Sequence, residues 1–398
     1  MPLSSNGQSF DIAIAGGGIF GLSIAYAAIR LGLKVAVFEA DKVGAGASGG
    51  LLGALMPHMP ARWNPKKEFQ FRALKSLEEH THALELETGM HTGYRRCGRI
   101  LPLTTKDKLE HHLERAEESK LRWNTDRTGF SYQVEQPGER GDWLSPDAAP
   151  FGLVYETLAA RVSPRAYIAT LAAYIRQHGV LVEGAAVHGF EESTGRVFLT
   201  GGHPDVHAAH VVYASGHASF RAIESLTGEA VGRGEKGQAV LLEGEGLEHL
   251  PAIYCDGLYV VPHENGTVAV GSTADKVFEH SEPLPERTEE LVRRAAAFCP
   301  KLNGRAILSE WAGIRPRCNK RDPLVGKLPG YARTYVATGG YKISFGVAHA
   351  VADALLGEIY ARSTEAVLPD TFRPEHHFGD NALRNDTYQP AVASVHKI

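Results

Sequence analysis

The segment DIAIAGGGIFGLSIAYAAIR, beginning at Asp11, constrains the fold more than any other part of the chain. The apolar run Ile12 to Ala15 precedes glycines at 16, 18 and 21, and helical spacing follows as far as Gly32. KVAVFEA then reads as a second buried strand, ending at Glu39. This is a strand–helix–strand unit, whose crossover is right-handed in nearly all proteins. Gly16 permits a tight turn, Gly18 lets backbone approach a pyrophosphate, and Gly21 lets helix and strand pack closely. The helix start offers free N–H groups and the positive end of its dipole to the anion. Glu39 stands where a carboxylate accepts from both ribose hydroxyls and repels a 2′-phosphate. NADP is therefore disfavoured, and NAD and FAD remain.

The choice between them falls to two further glycine-rich stretches. DKVGAGASGGLLGALMP follows Glu39 directly, and its small residues Gly46, Ala47, Ser48 and Gly53 let backbone crowd against a long, extended cofactor. Near the end of the chain, ATGGYKISFG closes a strand and opens a helix. The N-terminus of that helix can stabilise negative charge on a reduced flavin ring. Turn chemistry accounts for either stretch alone, but the pair favours FAD.

At 398 residues the chain exceeds one ordinary hydrophobic core. Nucleotide-type β-α elements fall at its start, middle and end, whereas two intervening segments are richer in strand and turn signals. The expected fold is α/β, a Rossmann-like FAD-binding domain with a discontinuous, mainly antiparallel-sheet substrate domain. Residues 1–90, 146–225 and 306–375 are assigned to the first, 91–145 and 226–305 to the second, and 376–398 to a polar C-terminal extension. Local signals include a helix over about 66–88 ended by Gly89, and a helix capped by Ser163 with Pro164 in its first turn. LYVVPHENGTVAVGST reads as a hairpin, with Asn265 and Gly266 at positive φ.

Forty-two basic against 46 acidic residues give a net charge of −4, which disfavours a dedicated nucleic-acid binder. Cys97, Cys255, Cys299 and Cys318 are scattered, which speaks for a reducing compartment and against a thiolate metal site. The 19 histidines form no metal-type helical spacing, so no metal is expected. With neither a signal-peptide pattern nor a membrane-length apolar run, the expected setting is the cytoplasm.

The chain resembles the D-amino acid oxidase-type FAD-dependent oxidoreductases, which include glycine oxidase, sarcosine oxidase and D-amino acid dehydrogenases. Seven stretches carry the resemblance in the family's order: GGGIFGLSIAYAAIRLGLKVAVFE, GAGASGGLLGALMP, VVYASGHAS, KGQAVLLE, LYVVPHENGTVAVGST, WAGIRPRCNKRDPLVGKLP and YVATGGYKISFGVAHAVADAL. The resemblance implies two domains with extended FAD and the flavin at their boundary. It implies Gly16, Gly18, Gly21, Glu39, Ser48 and Gly53 at the adenosine-to-diphosphate end. Val187, Ala214 and Gly216 come near the adenine and its phosphates, and Gly339, Gly340, Tyr341, Lys342 and Ile343 edge the flavin.

The resemblance also implies oxidation of the C–N bond of a small amine or amino acid: glycine, a D-amino acid, an N-methyl amino acid or an opine-like amine. A neutral amine gives a hydride to flavin, and the imine hydrolyses. Such chemistry asks the protein mainly to orient the substrate. Arg315 in WAGIRP offers a bidentate fork for a carboxylate. Tyr259 offers a hydroxyl, and Lys342 stands where glycine oxidase-like sequences carry arginine. His263 and Lys236 also replace family arginines, and His58 lies close to an expected cofactor contact. No lysine lies between Pro262 and Gly271, where some sarcosine oxidases have one, so oxygen and another electron acceptor stay equally open. Cys318 is out of register with the flavin-attaching cysteine of sarcosine oxidases, so FAD is expected to be non-covalent. Two alternatives remain: an FAD-dependent oxidoreductase modifying tRNA wobble uridines, to which GASGGLLGALMP is also similar, and a flavin subunit of a hetero-oligomeric amine dehydrogenase. Homo- or hetero-oligomers are both compatible.

Overall fold

A computed structural model describes residues 8–379. The opening unit forms as read, with β1 (Ser9–Ala15), α1 (Ile19–Arg30) and β2 (Val35–Glu39). α2 (Pro65–Thr88) begins at Asn64, whose side chain accepts from Lys67 N–H at 3.0 Å, and ends at Gly89 with φ +68°. α3 (Pro164–His178) leads into β3 (Val180–Glu183), and β4 (Val206–Tyr213) follows. β5 (Leu324–Lys327), β6 (Thr334–Thr338) and α4 (Ser344–Ile359) complete the layer.

These strands run in the order β5-β6-β4-β1-β2-β3, parallel except where β5 meets β6. A hairpin of Val187–Glu191 and Arg196–Leu199 extends the sheet from β4. β1 and β2 are buried almost throughout, as strands covered on both faces must be. Helices α1, α2, α3 and α4 share one core with them, in which Leu22, Leu77, Leu171 and Leu355 are fully enclosed.

The second sheet has eight strands in the order Ile307–Cys318, Gly232–Glu243, Thr267–Gly271, Leu258–His263, Ala252–Cys255, Arg99–Pro102, Leu153–Glu156 and Tyr132–Glu135. All pairs are antiparallel except Ala252–Cys255 with Arg99–Pro102. Helix Pro285–Phe298 packs on this sheet, and Leu291 and Ala295 join its core.

Four local expectations need correction. Ser163 sits at the start of α3, but its hydroxyl makes no cap bond, and its N–H donates to Thr92 O at 2.9 Å. Only Gly266 has positive φ in the hairpin: His263 pairs with Thr267, so the loop has three residues and needs one left-handed position. Strands Leu153–Glu156 and Ile307–Cys318 lie in the second sheet, across the expected boundaries at 146 and 306. Their partners are distant in sequence, so local pattern could not assign them. The expected extension from 376 is packed at its start, with His377 and Phe378 buried, and its remainder from 380 lies outside the described residues.

Candidate active site

The ends of β1, β2 and β4 and the start of α4 open onto a cavity of about 900 Å³ that continues under the second sheet. Ligands of open α/β sheets bind at such carboxyl ends. The segment 44–59 forms its long wall, with one short turn of 3₁₀ helix at Ala47–Gly49.

At the β2 end the Glu39 carboxylate is fixed from both sides. Oε2 accepts from Gly17 N–H at 2.7 Å and Oε1 from Asp41 N–H at 3.0 Å. Gly16 and Gly18 line the cavity beside it, and Ser48 Oγ accepts from Ile19 N–H at 3.0 Å. Apart from the Ser48 bond to Ile19 N–H, the starts of α1 and α4 have no side-chain cap bond from their N-cap residues, and both helix starts lie at the same cavity. Gly46 and Gly216 leave bare backbone there, since an added Cβ would meet no protein atom within 4 Å. Ala47, Gly53, Val187 and Ala214 continue the wall. This long groove of bare backbone fits an extended dinucleotide.

Gly21 is the exception among the expected contacts. It does not line the cavity; it packs against the Gly16 carbonyl, which an added Cβ would overlap. Its place is in the turn's packing.

The other end is formed by the loop Gly339 to Ile343 and the second sheet. Tyr341 has φ +45°, and its hydroxyl donates to Glu235, which also pairs with Arg317. Burial, then Glu235, brings the Tyr341 hydroxyl up to about 12. Arg315 is buried, lines the cavity, and donates from Nη1 to Thr273 O at 3.1 Å. Tyr259 faces the same space, with its ring centroid 4.6 Å from that of Tyr254. Burial, then Tyr254, raises its hydroxyl to about 12, so it stays a donor at neutral pH. Lys342 is accessible along the cavity wall, its ammonium 5.7 Å from the centroids of both Tyr259 and Tyr341. Desolvation, then Arg315, pulls that ammonium down to about 8.

The three expected substrate contacts are thus on one wall. His58 also lines the cavity, held by Gln70 through its backbone N–H at 2.7 Å and through its ring. Burial, then Lys66, lowers its imidazole to about 4, so it is neutral. His263 and Lys236 do not line the cavity: His263 Nε2 lies 3.1 Å from Leu51 O, and Lys236 is buried in its strand. Cys318 is buried behind Gly339, its thiol raised to about 12 by burial, and no cysteine lines the cavity.

Sequence reasoning missed Arg99, Tyr254, Lys66 and Glu235. Arg99 and Glu235 left a usable signal, since each is a charged residue within a stretch that must pair as a sheet strand.

Among the described residues no helix is long and apolar enough to cross a membrane, and no cluster of three or more metal-type ligands occurs. The chain is 26% identical over 373 residues to a glycine oxidase of Bacillus licheniformis, covering 92% of this chain and 98% of that one. It is 25% identical over 384 residues to a glycine oxidase of Pseudomonas putida, covering 94% and 100%. The crystal structure of glycine oxidase from Geobacillus kaustophilus shares the fold with a TM-score of 0.84, at 22% identity and covering 94% and 100% of the two chains. A family model described as DAO, FAD dependent oxidoreductase, matches residues 11–355, and the chain, with its Rossmann-like layer and glycine-lined groove, belongs to that family of FAD-dependent enzymes.

Proposed function

We propose that the protein oxidises the C–N bond of a small amine or amino acid, and that the groove from Glu39 to Ile343 holds the FAD without a covalent bond. Bound FAD supplies the acceptor for the substrate's hydride; the imine left behind hydrolyses in water. The observation that carries the reading is the meeting of Arg315, Tyr259 and Lys342 on the wall beside the Gly339–Ile343 loop. The Arg315 guanidinium takes the substrate carboxylate, because its planar fork matches one and its burial strengthens the pairing. Tyr259 donates its hydroxyl to the same end of the substrate. His58, being neutral, adds no charge that would repel a protonated amine on entry.

The full-length match to relatives named glycine oxidase supports a small amino acid as substrate and oxygen as acceptor. The four free, buried cysteines fit a reducing compartment such as the cytoplasm.

An anaerobic screen tests the reading. The purified protein should be yellow, and at least one small amine or amino acid should bleach it without air; admitting oxygen should then restore the colour and yield peroxide. Arg315→Lys should lower kcat/KM for a carboxylate-bearing substrate about 100-fold, mainly through KM, by the loss of a bidentate charge-assisted pair. A flavin that no amine reduces would sink the proposal.

A further inference from the structure

The charges lining the cavity are segregated. Its only carboxylates among the described residues, Glu39 and Asp41, lie at the β2 end. The cations that line the cavity are Lys66, Arg99, Arg315, Arg321 and Lys342. Lys66 is paired with Asp322 and Arg99 with Glu156, so one substrate carboxylate on Arg315 leaves Arg321 and Lys342 without a carboxylate partner among the described residues.

Arg99 is the most informative of the five. Its side chain is 4% exposed, its Nε lies 3.0 Å from Glu156 Oε1, and its Nη2 donates to Pro57 O at 3.2 Å. Glu156 is held in turn by the N–H groups of Leu158 and Ala159, at 2.9 and 3.0 Å. The Glu156 charge and the Pro57 carbonyl therefore hold the guanidinium, while neither Nε nor Nη1 has a hydrogen-bond partner among the described residues. A buried, oriented cation with a spare donor facing a cavity is built to meet an anion.

Its position relative to Arg315 follows from the sheet order. The Arg315 guanidinium crosses Gly237 to reach Thr273, just past strand Thr267–Gly271. The next two strands carry Tyr259 and Tyr254, and the one after them carries Arg99. Two arginines thus bracket a tyrosine pair across three interstrand steps, roughly 14 Å at about 4.8 Å each. Both arginines act electrostatically on the Tyr259 hydroxyl between them.

We propose that the substrate is an amino dicarboxylate, with one carboxylate on Arg315 and the second on Arg99. The inference rests on the amine-oxidation reading above for the identity of the group between the carboxylates, but its anion sites can be tested without turnover.

The test uses the yellow holoenzyme and reads ligand-induced changes in the flavin spectrum. Succinate is compared with butyrate, and glutarate with pentanoate, none of which can be oxidised as an amine. The dicarboxylate of each pair is expected to bind at least tenfold more tightly. In the double variant Arg99→Met/Glu156→Gln, which leaves no lone buried charge, that preference should collapse to about one. If the double variant does not fold, Arg99→Lys keeps the ion pair but loses the fixed fork, and the preference should drop at least threefold. Equal affinities within each pair in the wild type, or a preference that survives substitution at 99, overturn the inference. A holoenzyme that prefers succinate but is reduced by no amine overturns the oxidation reading and leaves the paired anion sites standing.

Discussion

Gly237 lies beneath the guanidinium of Arg315: a Cβ at 237 would overlap Cζ, Nη1 and Nη2. The two residues sit on paired strands, with Arg315 opposite Glu235 and Gly237 opposite Gly313. The absent side chain thus sets where the buried cation points. Gly237→Ala should leave the fold intact, because the atoms it displaces are the free end of a long side chain. Misplacing a substrate anchor by about 1 Å can cost 100-fold in rate. The variant is therefore expected to lose about 100-fold in kcat/KM while its thermal midpoint moves by only a few degrees. Steady-state kinetics beside a melting curve check this, and activity within twofold of wild type would count against it.

Lys342 gives a pH signature. Its ammonium titrates near 8, so it is charged below that pH and neutral above it. An anion bound beside it gains from the charged form only. Acetate, which has no amine to titrate, should bind more weakly as pH rises from 7 to 9, and the decline should be absent in Lys342→Met. Spectral titration of the holoenzyme at several pH values measures both. A wild-type affinity that is flat with pH would remove Lys342 from the anion site.

Much of this was legible in the sequence, and the reason is local. The β1–α1–β2 unit declares itself because its glycines, its helix and Glu39 are contiguous, and the turn needs those residues whatever surrounds it. Arg315, Tyr259 and Lys342 came to attention through motifs, each carried by its own stretch, and all three line the cavity. Arg99, Tyr254 and Gly237 escaped because their relevance depends on pairing across the second sheet. Ala252 meets Arg99 from some 150 residues away, and nothing near either residue encodes that register. The same physics misplaced Ile307–Cys318, whose partner strand Gly232–Glu243 is distant in sequence.

Gly16 carries both conformational and steric constraints. Its φ is +114°, and a Cβ there would lie 2.6 Å from Ala214 O and Ser215 Cα. Both obstacles are backbone, so they cannot swing aside. Gly16→Ala should cost about 3 kcal/mol or more of stability and strip most of the FAD. Gly46→Ala is the contrast, since its Cβ meets no protein atom within 4 Å and its φ is −79°. That variant should keep the apoprotein's thermal midpoint yet hold FAD less tightly, as the added methyl enters the groove. The ratio of flavin to protein absorbance after purification, with melting of the apoproteins, separates the two. Full FAD retention by both would argue that the groove serves something else.

Glu235 links the loop at Tyr341 to the second sheet, and its contribution to stability should depend on pH. Burial alone would raise its carboxyl, but the Tyr341 hydroxyl and Arg317 outweigh this and hold it below the usual carboxylate range. A carboxyl depressed in the folded state stabilises fully above its unfolded value and loses that contribution as pH falls through the folded one. Glu235→Gln keeps the shape, removes the charge, and leaves Arg317 without its carboxylate partner. It should therefore be less stable than wild type by about 2 kcal/mol at pH 7. The gap should narrow as the pH falls below the usual carboxylate range and through the depressed folded value, where the wild-type carboxyl is itself neutralised. Urea unfolding of both proteins at pH 7 and pH 3.5 gives the comparison directly. A gap that does not change with pH would count against a contribution of the Glu235 charge to stability.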